Sequence, residues 1–267
     1  MGVPASVTDD VTASLDLTRL LDTAEAAALA GGAVVRGGLA SANVEVKGAG
    51  DYVTEVDRAS ERAIVEVLSA GAPGISVVGE EGGGDLGGRA WVVDPLDGTT
   101  NFLHGFPAVA VSIALVEDGR PVVGVVHAPF LSQTWTAVRG GGAWLGRDRL
   151  AVSERDPDRA VLGTGFPFRR KELLPRYLEV LRGALERFED LRRPGAAALD
   201  LAWVAGGVFD GFFELGLAAW DVAAGGLLIE EAGGVVTDWT GGNGWLGGDI
   251  LAGSASVHAG LLSLTVG

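Results

Sequence analysis

The chain has 267 residues, 48% of them hydrophobic, with a formal net charge of −15 and no cysteine. That length allows one large domain or two small ones sharing a core, and no apolar run approaches the roughly 18 residues that a membrane span needs. Zero cysteines exclude disulfides, thiolate metal sites and a cysteine nucleophile, and the acidic balance argues against nucleic acid as a partner, since that calls for a basic footprint.

Residues 1–16 carry no basic region followed by an apolar core, so no secretory signal is expected and the cytoplasm is the expected location. Residues 15–37 place apolar side chains at helical spacing and stop at Gly37-Gly38. A loop is expected at KGAGD (47–51), then a helix over about 56–70. ISVVGEE and RAWVVDP read as short buried strands, each β-branched and each ending in acid. AVAVSIALV and PVVGVVHAP are joined by Glu117-Asp118-Gly119-Arg120, and the Asp-Gly pair signals a hairpin. QTWTAVRGGGAWLG adds a strand pair around a glycine turn. After the polar stretch 153–160 the pattern becomes an alternation of short strands and helices, one helix starting near Pro175. The expected division is an N-terminal α+β subdomain, 1–150, and a C-terminal α/β subdomain, 151–267, sharing one cleft. The 43 glycines follow no fixed period, so no solenoid is indicated.

The stretch WVVDPLDGTTNF (91–102) holds Asp94 and Asp97 around a proline, followed by a Gly-Thr-Thr-Asn turn. An acid at a strand end followed by Asp-Gly is also ordinary turn chemistry. Read as geometry, Asp94, Asp97 and the Leu96 carbonyl are three oxygen ligands within four residues, which suits a hard cation such as Mg2+. Gly98 and Thr99 would open a turn whose N–H groups face the same point, an anion site. Glu80 ends the preceding strand and would lie beside Asp94 if the two strands pair. Asp221 opens a helix after Trp220, where helix-dipole chemistry is the competing reading. Asp57, with Thr54, fits a capping box. Gathered without a cation, any two of these acids about 4 Å apart would repel by about 4 kcal/mol at an effective dielectric near 20. Either they are dispersed caps or metal ions hold them together.

DYVTEVD (51–57), GEE (79–81), WVVDPLDGTTNF and WDVAAG (220–225), in this order and spacing, resemble the inositol monophosphatase family of Mg2+-dependent, lithium-sensitive phosphatases. The resemblance covers about residues 15–262. It implies an α/β (α+β) fold, a layered α-β-α-β-α sandwich of the inositol monophosphatase and fructose-1,6-bisphosphatase type, and a homodimer. It implies two to three Mg2+ ions held by Glu80, Asp94, Leu96, Asp97 and Asp221, with Asp57 supporting the attacking water or a weaker ion. Thr99, with Glu80, is implied to orient that water. Asp97, Gly98, Thr99, Gly195, Ala197, Glu214 and Asp221 are implied to meet the substrate, a small phosphorylated polyol, and Lys47 is a further phosphate-side residue. Many relatives carry Ser or Thr where this chain has Ala196, so one hydroxyl near the substrate is missing.

The activity implied is hydrolysis of myo-inositol 1-phosphate by direct attack of a metal-activated water. The alternatives are fructose-1,6-bisphosphatase, histidinol phosphatase or nucleotide 3′-phosphatase activity on the same scaffold, or a non-catalytic partner role in transcription or ribosome machinery. His104, His127 and His258 lack metal spacing and read as structural. The basic run FRRKE (168–172) reads as a solvated helix start, with contact to a second phosphate as its functional alternative.

Overall fold

The computed structural model describes residues 5–38, 44–48, 51–80 and 87–265, and the side chains of 5–15, 44–48 and 51–54 fall outside that description. Two sheets organise it. Strands β1 (Val44–Gly48) and β2 (Asp51–Thr54) form a separate antiparallel pair. The first large sheet then runs in the order β3 (Ser76–Gly79), β4 (Arg89–Asp97), β5 (Ala110–Glu117), β6 (Arg120–Ala128), β7 (Gln133–Val138), β8 (Gly142–Leu145), β9 (Asp148–Arg149). Only its β3–β4 pair is parallel. The second sheet uses β10 (Val161–Thr164), β11 (Asp190–Arg192), β12 (Gly211–Glu214), β13 (Val235–Thr237) and β14 (Ile250–Gly253), in the order β11-β10-β12-β14-β13.

Helices fill three layers around these sheets. On one face of the seven-stranded sheet lie α1 (Ala5–Gly38) and α2 (Glu55–Gly71), whose Leu20, Ala24, Ile64 and Leu68 pack against Trp91, Val93, Ile113 and Val125. A five-residue helix, α3 (Thr99–Leu103), follows β4. Between the sheets run α5 (Ala197–Ala205) and α6 (Ala219–Glu231), joining Val92, Ala114 and Val126 to Phe212 and Ala252. Beyond the second sheet, Tyr177 and Val180 of α4 (Leu174–Arg187) meet Val257 and Leu261 of α7 (Ala255–Thr265) over Leu162 and Phe213. The architecture is therefore the expected α-β-α-β-α sandwich. The middle helices are mostly apolar around their circumference because both their faces are covered, with Asp200 and Asp221 as the acids of their first turns.

The alternation along β4 decides where the site forms. Trp91 and Val93 face α1 and α2, while Val92 faces α5 and α6, so Asp94 points toward the middle layer. Strict alternation would send Asp97 to the opposite face. The register to β5 shifts between Asp94↔Ser112 and Asp97↔Ala110, one extra residue on β4, and this bulge resets the alternation. Leu96 consequently packs in the α1–α2 core, and Asp97 returns to the face of Asp94. Pro95, which offers no N–H to a ladder, sits within the shifted segment.

Three sequence expectations change. The strand does not end at Asp94 but continues to Asp97. The first helix begins at Ala5, about ten residues earlier than its apolar spacing indicates. Residues 44–48 and 51–54, on either side of the expected 47–51 loop, pair as strands. Strand β14 and helix α7 are not apparent from the pattern, because the sequence from 250 onward, His258 apart, is apolar, small or hydroxylated and shows no clear period.

Candidate active site

Because β3 and β4 are parallel neighbours with Gly79 opposite Val93, the chain leaving β3 puts Glu80 beside Asp94. The Glu80 N–H donates to the Val93 carbonyl at 3.2 Å and fixes that exit. Asp221 arrives from the other direction, in the first turn of α6. Its carboxylate accepts the Ala218 N–H at 2.6 Å, as a residue capping the helix start does, and also lines the cleft. Carboxylate oxygens of Asp94, Asp97 and Asp221 lie within 4.8 Å of one another.

Each acid is held by backbone. The Leu96 N–H donates to Asp94 Oδ1 at 2.9 Å, and the Ala198 N–H of α5 donates to Asp97 Oδ2 at 2.8 Å. Asp94 is only 2% exposed and Asp97 8%. Burial, then the charges of Glu80, Asp97 and Asp221, pushes the Asp94 carboxyl well above its ordinary range. Burial and Asp221 push Asp97 up to about 7. Burial raises Asp221 to about 6, against the lowering effects of the Ala218 N–H and Arg169. These raised values come from burial first and, for Asp94 and Asp97, from the repulsion of neighbouring carboxylates second, a repulsion that a bound cation would relieve. Oxygen-only donors in such a cluster fit a hard divalent cation such as Mg2+, and no histidine contributes.

Next to the acids, Gly98 adopts φ 87° and ψ 39° at the start of α3. A methyl group there would sit 2.9 Å from the Ala108 carbonyl oxygen, so both conformation and space require glycine. Thr99 Oγ1 lies 3.2 Å from Asp57 Oδ1 and 3.2 Å from the Leu96 carbonyl oxygen. Asp57 itself is buried in the first turn of α2. The Thr54 side chain, the other half of the expected capping box, lies outside the described residues, as does that of Lys47.

These groups open into a cleft of about 570 Å³. Its walls include Glu80, Asp94, Leu96, Asp97, Gly98 and Thr99 from the first half of the chain. Gly195, Ala197, Glu214 and Asp221 come from the second. Every described residue expected from sequence lines this cleft except Asp57, which reaches it through Thr99. Burial, followed by the charge of Asp221, raises the Glu214 carboxyl to about 8, opposed by Arg193.

Three contributors escaped the sequence reading. Asn101 Nδ2 donates at 2.8 Å to both the Ala108 and Pro194 carbonyls, tying α3 to the segment that carries Gly195. Arg193 lines the cleft with its guanidinium near Phe166 and Phe168. Asp200, 1% exposed, sits behind the Gly195 segment with Oδ1 lacking a hydrogen-bond partner. The motifs around them are visible in sequence, but the individual roles of these three come from contacts between distant segments. The histidines are not part of the cleft: His127 Nδ1 meets Thr134 Oγ1 at 2.9 Å, and His258 Nε2 meets Thr237 Oγ1 at 2.8 Å.

The profile of the inositol monophosphatase family matches residues 16–266. The chain belongs to the inositol monophosphatase family. Among curated relatives, the protein named Nus factor SuhB of Pseudomonas aeruginosa is 48% identical over 230 residues, 83% of this chain and 85% of that protein. Among solved structures, the extragenic suppressor protein suhB from Bartonella henselae superposes with a TM-score of 0.86 at 40% identity, covering 92% of this chain and 97% of that one. The inositol monophosphatase from Anabaena (Nostoc) gives a TM-score of 0.84 at 38% identity, covering 93% and 96%. Membership in the inositol monophosphatase family supports phosphatase activity that depends on metal and acts on a phosphorylated substrate. Among the described residues, no helix is long and apolar enough to cross a membrane.

Proposed function

We propose that this chain is a cytoplasmic, Mg2+-dependent phosphomonoesterase that hydrolyses myo-inositol 1-phosphate to inositol and inorganic phosphate. The observation that carries this reading is the convergence of Asp94, Asp97 and Asp221 at the floor of a cleft that also holds Gly98 and Thr99. In this reading Glu80, Asp94, Asp97, Asp221 and the Leu96 carbonyl hold two to three Mg2+ ions, with Asp57 nearby. When bound, the ions supply Lewis-acid activation of water and neutralise charge on the phosphoryl group.

The chain's own residues do the rest. Thr99 donates its hydroxyl proton to Asp57, which leaves an Oγ1 lone pair to accept a hydrogen bond from the attacking water, and Glu80 flanks the same water. The Gly98 and Thr99 amides hold the phosphate oxygens. Gly195, Ala197 and Glu214 face the polyol, where Glu214 accepts from a ring hydroxyl and Ala196 offers none. Residues 1–150 would then form the subdomain that carries most of the metal ligands, and 151–267 the one that carries Asp221 and the polyol contacts.

The test is phosphate release from inositol 1-phosphate, fructose 1,6-bisphosphate, histidinol phosphate and 3′-phosphoadenosine 5′-phosphate, with Mg2+ and with added Li+. Fastest release from inositol 1-phosphate, inhibited by Li+, is expected. No release from any of them in Mg2+ would sink the reading.

A homodimer accords with an apolar depression of about 350 Å³ among Phe106, Pro107, Leu131, Trp203 and Phe209, where Phe106 is 50% and Leu131 38% exposed. A monomer by light scattering at micromolar concentration would contradict it. The name of the Pseudomonas relative favours a second role, as a partner of transcription or ribosome machinery. Rescue of a deletion phenotype by Asp94→Asn would support that role independently of catalysis.

A further inference from the structure

The proposed substrate is held at two ends that belong to different halves of the chain. Its phosphate meets the Gly98 and Thr99 amides at the start of α3, and its polyol meets Gly195 and Ala197 at the entry to α5. The distance between these ends decides which molecules reach both at once. Asp97 accepts the Ala198 N–H and so ties the floor to α5, but the residues before α5 depend on other contacts.

The Asn101 side chain supplies one of them. Its amide lies between the two glycines: a methyl added at Gly98 would fall 3.5 Å from Asn101 Nδ2, and one added at Gly195 would fall 3.4 Å from the same atom. Both glycines hold positive φ, 87° and 91°, so each brings bare backbone to the amide. From there Nδ2 donates at 2.8 Å to the Ala108 carbonyl and at 2.8 Å to the Pro194 carbonyl. The Asn101 main-chain carbonyl accepts the Phe106 N–H at 2.8 Å, which fixes the return that brings Ala108 back to the turn. Asn101 and Ala108 are both buried. Asn101 does not line the cleft, so any effect it has on the substrate passes through the segments it joins.

Those segments are not equally constrained. The phosphate turn has its own ties, because the Phe102 N–H donates to the Gly98 carbonyl at 2.9 Å and Thr99 Oγ1 lies 3.2 Å from the Leu96 carbonyl oxygen. On the polyol side Arg192 and Arg193 are exposed and Pro194 has no N–H to donate. Gly195 is held from behind, through its N–H on the buried Asp200 carboxyl. Loss of the Asn101 donors therefore releases the polyol side before it disturbs the turn. Two carbonyl acceptors call for two N–H donors on one short side chain, which Asn has; Ser offers one, and an ionised Asp of the same shape offers none.

We propose that Asn101 is a positioning residue that sets the spacing between the phosphate turn and the Pro194–Gly195 segment, and thereby the preference of this cleft for a phosphorylated polyol over a phosphate ester without hydroxyls. This rests on the phosphatase reading above and adds to it a residue that touches neither end of the substrate.

The experiment measures kcat/KM in Mg2+ for inositol 1-phosphate and for p-nitrophenyl phosphate, with the wild type, Asn101→Asp and Asn101→Ser. The wild type should prefer inositol 1-phosphate. Asn101→Asp keeps the shape and loses the donors; it should lower kcat/KM for inositol 1-phosphate by about 100-fold, with a loss on p-nitrophenyl phosphate at least ~10-fold smaller. Asn101→Ser keeps one donor, and its preference should fall between those of the wild type and Asn101→Asp. The Mg2+ concentration for half-maximal rate should stay the same in both. Proportional losses on the two substrates, or a loss that follows weaker Mg2+ binding, would overturn the proposal and leave the phosphatase reading intact. So would a wild type that hydrolyses p-nitrophenyl phosphate as well as inositol 1-phosphate, or failure of both variants to fold, which would assign Asn101 to stability alone. No release from either substrate by the wild type removes both readings.

Discussion

Asp94 and Asp97 stand on a strand buried on both faces, and each carboxylate is fixed by a backbone N–H. Arg169, Arg170 and Lys171 ride instead on an exposed connection, and among the described residues Arg170 pairs only with Glu172. Floor and rim meet in one cleft, yet the floor is over-determined by the fold while the Arg169–Lys171 side of the rim is exposed and carries a local pair, Arg170 with Glu172. A reaction that needs a fixed charge arrangement belongs on the first, and recognition that varies with substrate belongs on the second.

Changes at the floor should therefore remove turnover without removing the fold. Asp94→Asn is expected to lower kcat by at least ~1000-fold, roughly 4 kcal/mol in the barrier, with an unchanged far-UV spectrum. An enzyme near normal in saturating Mg2+ would break the distinction at its strongest point. Thr99→Ala should cost less, about 100-fold in kcat, and steady-state kinetics with little change in KM would place its role in the chemical step. A rise in KM alone would move Thr99 to binding.

The floor also makes a pH prediction. Asp221, Asp97 and Glu214 hold their protons to about 6, 7 and 8 in the folded protein, above ordinary carboxylates. Stability from these groups is thus fully present below about pH 4 and is lost as pH rises through 6 to 8. In chelator, Tm should fall between pH 5.5 and 8.5. Mg2+ should raise Tm more at pH 8 than at pH 5.5, because binding displaces the retained protons. A pH-independent Mg2+ effect would show that these acids do not hold it. At the polyol side, Glu214→Gln should act mainly on KM, by about 10-fold or ~1.4 kcal/mol. A loss confined to kcat would transfer Glu214 from recognition to the floor.

The sequence disclosed the floor better than the rim for a physical reason. Acids beside buried strands or at helix starts announce themselves, because a buried carboxylate must have a partner: Glu80 follows β3, Asp97 ends β4 with Asp94 three residues before it, and Asp221 opens α6. What local pattern could not supply was the bulge in β4, which needs the pairing to β5 before it exists. Arg193 and Asn101 were invisible for a similar reason: one acts through rings 25 or more positions away, as with Phe168, and the other bonds Pro194, 93 positions away. The fold followed the same rule. The Asp118-Gly119 hairpin and the Pro175 helix start were local and legible, whereas β14 and α7 take their places from long-range packing on β12 and α4.

The central claim is that the carboxylates of Asp94, Asp97 and Asp221 hold the cations that let this cleft hydrolyse a phosphate monoester. Its most direct test is phosphate release from inositol 1-phosphate by the metal-stripped protein as Mg2+ is titrated in. No turnover in chelator and a saturable rise with Mg2+ are expected. An undiminished rate in excess chelator would contradict it.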